Sequence, residues 1–267
     1  MKPQETLSYF NLTGPPFTKE VPTEQLMLLP SLERGLAAAR LLAETRGIGV
    51  MIGKSGVGKS CLLRRLIADL PPGLYRPVYL CHTTVAIMEF YTHLCAAFGI
   101  ESCSRRSRMF RDLKDRITVL NHSDRVHPLL IIDEAQYLSN DILAELRMLT
   151  NFEVDSVNAL TVLLCGSENL TRRFALSVLE PLANSVTITI TLGSLEQEET
   201  PAYIEARLTA VGALTPLFTK NALALVHQAS GGILRTINTI AAASLHKAYL
   251  GKSAQVEAEH VQAVIQR

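Results

Sequence analysis

The stretch that most constrains this chain is GKSGVGKS, which runs from Gly53 to Ser60. An apolar run, Ile48 to Ile52, precedes it and Cys61 with two leucines follows it, so the motif lies between a predicted strand and a predicted helix. Its three glycines permit backbone torsions that bulkier residues avoid, so consecutive amide groups can turn towards a triphosphate. The positive end of the following helix faces the same anion. The sequence therefore predicts a phosphate-binding loop in an α/β nucleotide-binding domain.

The motif assigns a role to each of its residues. Lys59 would reach the β and γ phosphates of ATP as a point charge, and the Ser60 hydroxyl would bind Mg²⁺. The other predicted contacts to the nucleotide come from Gly53, Lys54, Ser55, Gly56, Val57, Gly58 and Cys61. A chance glycine-rich turn is the alternative, and the flanking strand and helix argue against it.

A second apolar run, Pro128 to Asp133, ends in two adjacent acids. Such a run is typical of a strand buried on both faces of a parallel sheet, and ligands bind at the carboxyl ends of these strands. Asp133 would bind Mg²⁺, directly or through water, and Glu134 would polarise the water that attacks the γ phosphate. We therefore expect ATP hydrolysis with Mg²⁺ as cofactor.

Apolar patterning predicts strands that alternate with helices as far as Gly193, and helices alone after it. The predicted strands are residues 48–52, 77–81, 128–133, 160–165 and 186–190. This order indicates an α/β nucleotide domain, residues 31–194, followed by a helical lid, residues 195–267. Residues 1–30 are rich in proline and aromatic residues, which predicts an extended arm. Its aromatic rings would pack on the body of the protein or form a wall for the adenine ring.

Composition excludes several functional classes. The 267 residues carry a net charge of +1 and are 48% hydrophobic, which argues against disorder and against a generally basic nucleic-acid binder. No apolar segment approaches the roughly 18 residues that a membrane span requires, and the N-terminus lacks the apolar core of a signal peptide. We expect a soluble, cytoplasmic protein. The five cysteines lack C-x-x-C spacing, so buried thiols are expected rather than a structural zinc site.

Cations are concentrated in one segment, SRRSRMFRDLKDR, residues 104–116. A solvated helix face is one interpretation of such a run. The other is contact with the phosphate backbone of duplex DNA, because an otherwise neutral protein has gathered its positive charge here. Arg105, Arg106 and Arg108 are the candidate DNA-binding residues.

The stretches GKSGVGKS, LLIIDEAQ, SGGILRTIN and YFNLTGPPF together resemble the ExeA-like branch of the AAA+ ATPases. The Walker motifs are shared by very many ATPases, and the resemblance to this branch becomes more specific with three further stretches, DEAQYLS, AELRMLTNFE and YIEARL. This branch includes the ATPase of a bacterial type II secretion system and transposition regulators of the TnsC, TniB and Mu B kind. The resemblance implies an AAA+ P-loop fold with a five-stranded parallel sheet and a C-terminal α-helical lid.

The same resemblance implies further site residues. Lys59 with Ser60 corresponds to the Walker A pair, and Asp133 with Glu134 to the Walker B pair. Ser167 falls at the sensor 1 position, where relatives often have glutamine.

Arg235 falls at sensor 2, the lid arginine that reads the γ phosphate, and Leu234 stands where relatives commonly have proline. Ser185 stands where relatives tend to have an arginine that reaches a neighbouring subunit's ATP. Either Arg172 or Arg173 replaces that arginine, or hydrolysis is slow and ATP acts mainly as an assembly switch. We favour slow hydrolysis, with ATP acting mainly as an assembly switch.

By resemblance, the leading hypothesis is a regulator of DNA transposition without a membrane partner. It would form a ring or helical filament on duplex DNA, recruit a DDE transposase and possibly a target-selector protein, and hydrolyse ATP to disassemble. The alternative is an ExeA-type ATPase that assists assembly of a bacterial secretion apparatus; relatives with that role append a transmembrane helix that this sequence lacks. A small-molecule P-loop kinase is poorly supported, because it needs neither the acid pair nor a lid with Arg235.

Overall fold

The computed structural model describes residues 3–23, 29–81, 83–153 and 156–266. Their central feature is a five-stranded parallel sheet in the order β2-β3-β4-β1-β5. The strands are β1 Ile48–Gly53, β2 Tyr75–Leu80, β3 His127–Ile132, β4 Thr161–Gly166 and β5 Val186–Leu192. All five predicted strands form, and the predicted fold class is confirmed.

The α-helices of the described residues are α1 Pro3–Tyr9, α2 Pro30–Thr45, α3 Lys59–Asp69, α4 Ile87–Phe98, α5 Arg106–His122, α6 Asn140–Thr150, α7 Glu168–Phe174, α8 Glu180–Asn184, α9 Glu199–Thr209, α10 Lys220–Ser230, α11 Leu234–Leu250 and α12 Ala258–Ile265. Helices α1, α7 and α8 carry no periodic apolar pattern in the sequence, because helices of seven or five residues are too short for an apolar stripe to repeat. Within the described ranges, no helix combines the length and the apolar character that a membrane crossing requires.

The chain forms two compact units. The sheet unit comprises Arg34–Lys54 and Leu62–Leu192, and the helical unit comprises Met1–Glu33, Ser55–Cys61 and Gly193–Arg267. The division falls within the phosphate loop, whose residues from Ser55 onwards group with the C-terminal helices. The domain boundaries at residues 31, 194 and 195 stay predictions. A pattern along the chain does not reveal that part of the phosphate loop groups with the C-terminal helices.

The prediction of an extended N-terminal arm is wrong for residues 3–9, which form α1. Pro3 is the first helical residue, a position where a missing amide costs no helical hydrogen bond. Within the helical unit, Thr6 Oγ1 lies 2.9 Å from His246 Nδ1, and the Tyr249 hydroxyl donates to Glu5 at 3.0 Å. These contacts fix α1 against α11.

Arg207 holds the next part of the N-terminal segment within the helical unit. This buried side chain donates from Nε to the carbonyl oxygen of Pro16 at 2.7 Å and from Nη2 to that of Thr18 at 2.9 Å. The rings of Phe17 and Phe218 meet edge to face at 6.3 Å. These contacts agree with the interpretation that the N-terminal aromatics pack on the protein.

Strands β1, β3 and β4 are buried along their whole length, which accounts for their continuous apolar runs. In the strand register, Ile132 of β3 lies beside Leu164 of β4, which in turn lies beside Val50 of β1. The three parallel strands therefore end at one edge of the sheet. That edge is where Asp133 and the phosphate loop begin, as the sequence predicts.

His127 fixes the opposite end of β3. Its Nδ1 lies 3.0 Å from Asn121 Oδ1 on α5, and its Nε2 lies 2.7 Å from Thr161 Oγ1 on β4. Burial lowers the pKa of His127 from 6.5 to about 4. The imidazole is therefore neutral at pH 7 and joins three elements of the sheet unit.

Acid is expected to destabilise the protein through His127. The pKa of His127 is about 4 in the folded protein and 6.5 in the unfolded chain. Between these two pH values the unfolded chain therefore binds a proton that the folded protein does not. Stability present above pH 6.5 is lost as the pH falls towards 4, by about 3 kcal/mol. Urea unfolding measures the free energy of unfolding at about pH 7.5 and at about pH 4. The decrease between the two pH values should be smaller for His127→Asn than for the wild type.

The matched control is His122→Asn. His122 is an exposed histidine at the end of α5, five residues before His127. It should keep the pH dependence of the wild type. Equal pH dependence of His127→Asn and the wild type would contradict the assignment.

Candidate nucleotide site

The phosphate loop has the backbone that its glycines predict. Gly56 and Gly58 have φ values of +87° and +108°, in the region that favours glycine. Helix α3 begins at Lys59, which is 8% exposed, and the next residue, Ser60, is exposed. The loop thus leads directly into a helix N-terminus, the arrangement that binds phosphate in such motifs.

Helix α11 packs on this loop within the helical unit. The Arg235 amide donates to the Gly56 carbonyl oxygen at 3.1 Å, and Arg235 Nη1 donates to Ser55 Oγ at 3.1 Å. A Cβ on Gly56 would lie 2.8 Å from Arg235 Cβ, and one on Gly58 would lie 2.9 Å from Leu234 Cδ1. The two glycines are therefore required by the neighbouring helix as well as by their own torsions. Leu234, at the position that the sequence comparison with the AAA+ family singled out, is thus the residue that a Cβ on Gly58 would meet first.

Asp133 lies at the carboxyl end of β3 and is 6% exposed. Its Oδ2 accepts from the Tyr79 hydroxyl at 2.9 Å, and its Oδ1 accepts from the Glu134 amide at 2.9 Å. Burial, with the carboxylate of Asp133 beside it, raises the pKa of Tyr79 above its ordinary value. The phenol thus keeps its proton and fixes the orientation of the carboxylate. Sequence reasoning missed Tyr79, because nothing in β2 points to β3.

Glu134 has a left-handed backbone, with φ of 54°, which is uncommon for a residue other than glycine. The buried Thr83 holds this backbone by donating from Oγ1 to the Glu134 carbonyl oxygen at 3.1 Å. The side chain of Glu134 is exposed. Strained backbone that is fixed by its surroundings is common at functional sites.

Gln136 connects Glu134 with the position predicted for sensor 1. Its Nε2 donates to Glu134 Oε2 at 2.5 Å, and its Oε1 accepts from the Ser167 amide at 3.1 Å. A Cβ on Gly166 would lie 2.7 Å from Gln136 Oε1, so glycine leaves room for this amide. In the sequence, Gln136 is recognisable only as part of the DEAQ stretch, and no local pattern there indicates a role for its side chain.

The donor set of the sequence-predicted metal site suits Mg²⁺. Asp133 offers carboxylate oxygens and Ser60 a hydroxyl, and Mg²⁺ prefers oxygen ligands, binding through one or two protein groups together with substrate phosphates. Among the described residues, no group of three or more His, Cys, Asp or Glu side chains is placed to hold a metal ion. The assignment of Ser60 and Asp133 stays a prediction.

Arg172 and Arg173 are the two arginines considered as replacements for the missing trans arginine, and their surroundings differ. Arg173 donates to the carbonyl oxygens of Gln136 at 2.9 Å and Leu138 at 2.5 Å, and to Asn140 Oδ1 at 2.5 Å. Burial lowers the pKa of Arg173. Arg172, on the same helix, is exposed. Of the two, Arg172 is the one placed to reach another molecule.

The basic segment enters α5 at Arg106, and Arg105 is the N-cap of this helix. The buried stripe of α5 consists of Met109, Leu113, Ile117 and Leu120. The three candidate arginines are exposed, although Arg106 lies 3.6 Å from Glu145 and Arg108 lies 3.6 Å from Asp112. Lys114 is used internally, because its Nζ donates to the Asn151 carbonyl oxygen and lies 3.4 Å from the centre of the Phe152 ring. Exposed ion pairs contribute about 0–1 kcal/mol, so Arg106 and Arg108 could exchange their partners for phosphate.

Comparisons with known proteins agree with this geometry. Residues 41–174 match a family model described as an AAA domain. Over 246 residues the chain is 29% identical to General secretion pathway protein A of Aeromonas hydrophila, an alignment that covers 90% of this chain and 44% of that protein. The chain therefore spans less than half the length of this relative.

Two solved structures are similar in fold. Cdc6p from Pyrobaculum aerophilum has a TM-score of 0.68 at 18% identity, over 90% of this chain and 67% of that chain. The ORC1 protein from Aeropyrum pernix, solved in complex with DNA, has a TM-score of 0.65 at 17% identity, over 93% of this chain and 67% of that chain. At these identities the likeness shows the fold alone. The family match over half of the chain, together with a phosphate loop after β1 of a five-stranded parallel sheet in which β1 lies between β4 and β5, shows that this protein belongs to the AAA ATPases.

Proposed function

We propose that this protein is a nucleotide-dependent assembly factor whose conformation responds to the terminal phosphate of ATP. The observation that supports this proposal is the contact of Arg235 with Ser55 and Gly56. A nucleotide on the loop acts directly on residues that hold the N-terminus of α11. Binding and hydrolysis would therefore change the packing of the helical unit around its own loop.

Each predicted site residue has a role in this proposal. Lys59 and the loop amides bind the phosphates, and Ser60 with Asp133 holds Mg²⁺, which would neutralise phosphate charge. Glu134 accepts a proton from the attacking water.

The sensors would respond to the γ phosphate. Ser167 and Arg235 are the residues proposed for this role. Of the two arginines considered as replacements for the missing trans arginine, only Arg172 is a candidate, because Arg173 donates its hydrogen bonds within the sheet unit.

The process favoured for this factor is assembly of a protein secretion apparatus. The support is the 29% identity to General secretion pathway protein A. Because the alignment covers 44% of that relative, the proposal concerns the ATPase step and not every activity of the longer protein. The comparison favours the secretion alternative over the transposition regulator that the sequence analysis preferred. A transposase or target-selector partner stays a sequence-based prediction, as does a cytoplasmic location.

A second candidate function is nucleotide-dependent assembly on duplex DNA as a ring or filament. The specific observation is the exposure of Arg105, Arg106 and Arg108 on a protein whose net charge is only +1. The ORC1 protein from Aeropyrum pernix, which has a similar fold, was solved in complex with DNA, which is compatible with this candidate. Contacts of this kind would be made to phosphate, so binding would be sensitive to salt and indifferent to sequence.

Lys59→Ala should lower the affinity for ATP by about 10- to 100-fold, because charge-assisted bonds to phosphate are lost. Titration with a fluorescent ATP analogue in the presence of Mg²⁺ measures this change. Lys220→Ala is the control, because Lys220 is exposed on α10. Undiminished affinity in Lys59→Ala would refute the proposed nucleotide site.

Arg235→Ala should reduce discrimination between ATP and ADP by about tenfold, because Arg235 is proposed to contact the γ phosphate. Isothermal titration with ADP and with a non-hydrolysable ATP analogue gives the two affinities. Removing the bond to Ser55 alone, in Ser55→Ala, provides the comparison. An equal loss of affinity for both nucleotides would show that Arg235 only supports the loop.

Replacing Arg105, Arg106 and Arg108 together by glutamate should weaken binding to duplex DNA at low salt by at least about tenfold. Fluorescence anisotropy with a labelled duplex, with and without an ATP analogue, measures this affinity. Electron microscopy of the same samples tests for rings or filaments. If the wild type does not bind duplex DNA at low salt, the DNA candidate is excluded and the secretion candidate stands alone.

A further inference from the structure

Gln136 joins two parts of the sheet unit to which the sequence assigns separate roles. We propose that Gln136 is a positioning residue, which holds the carboxylate of Glu134 by anchoring it to the backbone of Ser167. This inference rests on the proposed function, in which Glu134 is the general base of ATP hydrolysis. It adds a residue through which the end of β4 controls that base.

The hydrogen bonds of Gln136 require an amide. Gln136 Oε1 accepts from the Ser167 amide at 3.1 Å, while Gln136 Nε2 donates to Glu134 Oε2 at 2.5 Å. A glutamine side chain has an acceptor and a donor at its end, so one residue makes both bonds. A carboxylate at position 136 would keep the bond to Ser167 and would repel Glu134. An apolar side chain of similar length would make neither bond.

The surroundings fix Gln136 at both its side chain and its main chain. Gly166 leaves room for the amide, because a Cβ there would lie 2.7 Å from Gln136 Oε1. The guanidinium of Arg173 donates to the carbonyl oxygen of Gln136 at 2.9 Å. The backbone of Gln136 is therefore held independently of the side-chain link. Loss of the side chain alone should leave the turn after β3 in place.

The hydrogen bond from Gln136 restricts the position of the Glu134 carboxylate, the proposed general base. The side chain of Glu134 is exposed, and Gln136 donates to only one of its carboxylate oxygens. A general base must be held in a defined geometry, and misplacement by about 1 Å can lower a rate by about 100-fold. Gln136 holds Oε2 and leaves Oε1 to accept a proton from water. A displacement of Ser167, the proposed sensor of the γ phosphate, would reach Glu134 through this single side chain.

The test compares Gln136→Met and Gln136→Glu with the wild type in single-turnover hydrolysis of radiolabelled ATP, with affinity for an ATP analogue and melting temperature measured on the same samples. Both variants should lower the rate by about 10- to 100-fold at unchanged nucleotide affinity and melting temperature. Gly166→Ala should lower the rate in the same way, because the added Cβ displaces the amide. Gln228→Met is the control, because Gln228 is an exposed glutamine of the helical unit.

A double-mutant cycle separates positioning from a structural role. If Gln136 acts through Glu134, then Gln136→Met should cause no further loss of rate in the Glu134→Gln background. An equal loss in both backgrounds, or a wild-type rate in Gln136→Met, would overturn the inference. Retention of hydrolysis in both Lys59→Ala and Glu134→Gln would instead refute the proposed function.

Discussion

The site depends on the parallel pairing of three strands that are buried on both faces. The register of β3, β4 and β1 brings their carboxyl ends to one edge of the sheet, and Asp133, Ser167 and the phosphate loop follow those ends. A shift by one residue would move every side chain of a strand to the opposite face of the sheet, where it would no longer fit its neighbours, so close packing on both faces fixes the register. The polar residues at this edge are thus positioned by the hydrophobic core behind them.

The phosphate loop shows how one sequence motif serves two packing demands. Gly56 and Gly58 provide the left-handed backbone that phosphate loops use, and they also leave room for Arg235 and Leu234. Bonds from Arg235 to Ser55 and to Gly56 then attach the N-terminus of α11 to the loop. These bonds are the contacts on which the proposed response to the terminal phosphate rests.

The acids that follow β3 are fixed by polar neighbours from three different segments. Tyr79 of β2 orients Asp133, Thr83 holds the strained backbone of Glu134, and Gln136 holds its carboxylate. Asp133 and Thr83 are buried, and buried polar groups are stable when their partners are satisfied. Orientation of the two carboxylates therefore comes from neighbours whose identities lie outside the acid pair itself.

Five strands, the phosphate loop and the acid pair can be predicted from the sequence, because apolar periodicity and glycine torsions are local properties of the chain. Helices α1, α7 and α8 cannot, because their apolar stripes are too short to repeat. The strand order, the packing of α11 on the loop and the partners of Asp133 and Glu134 emerge only when the chain is folded. Those features depend on contacts between distant segments, and no local pattern in β2 or α11 records which neighbour each will meet.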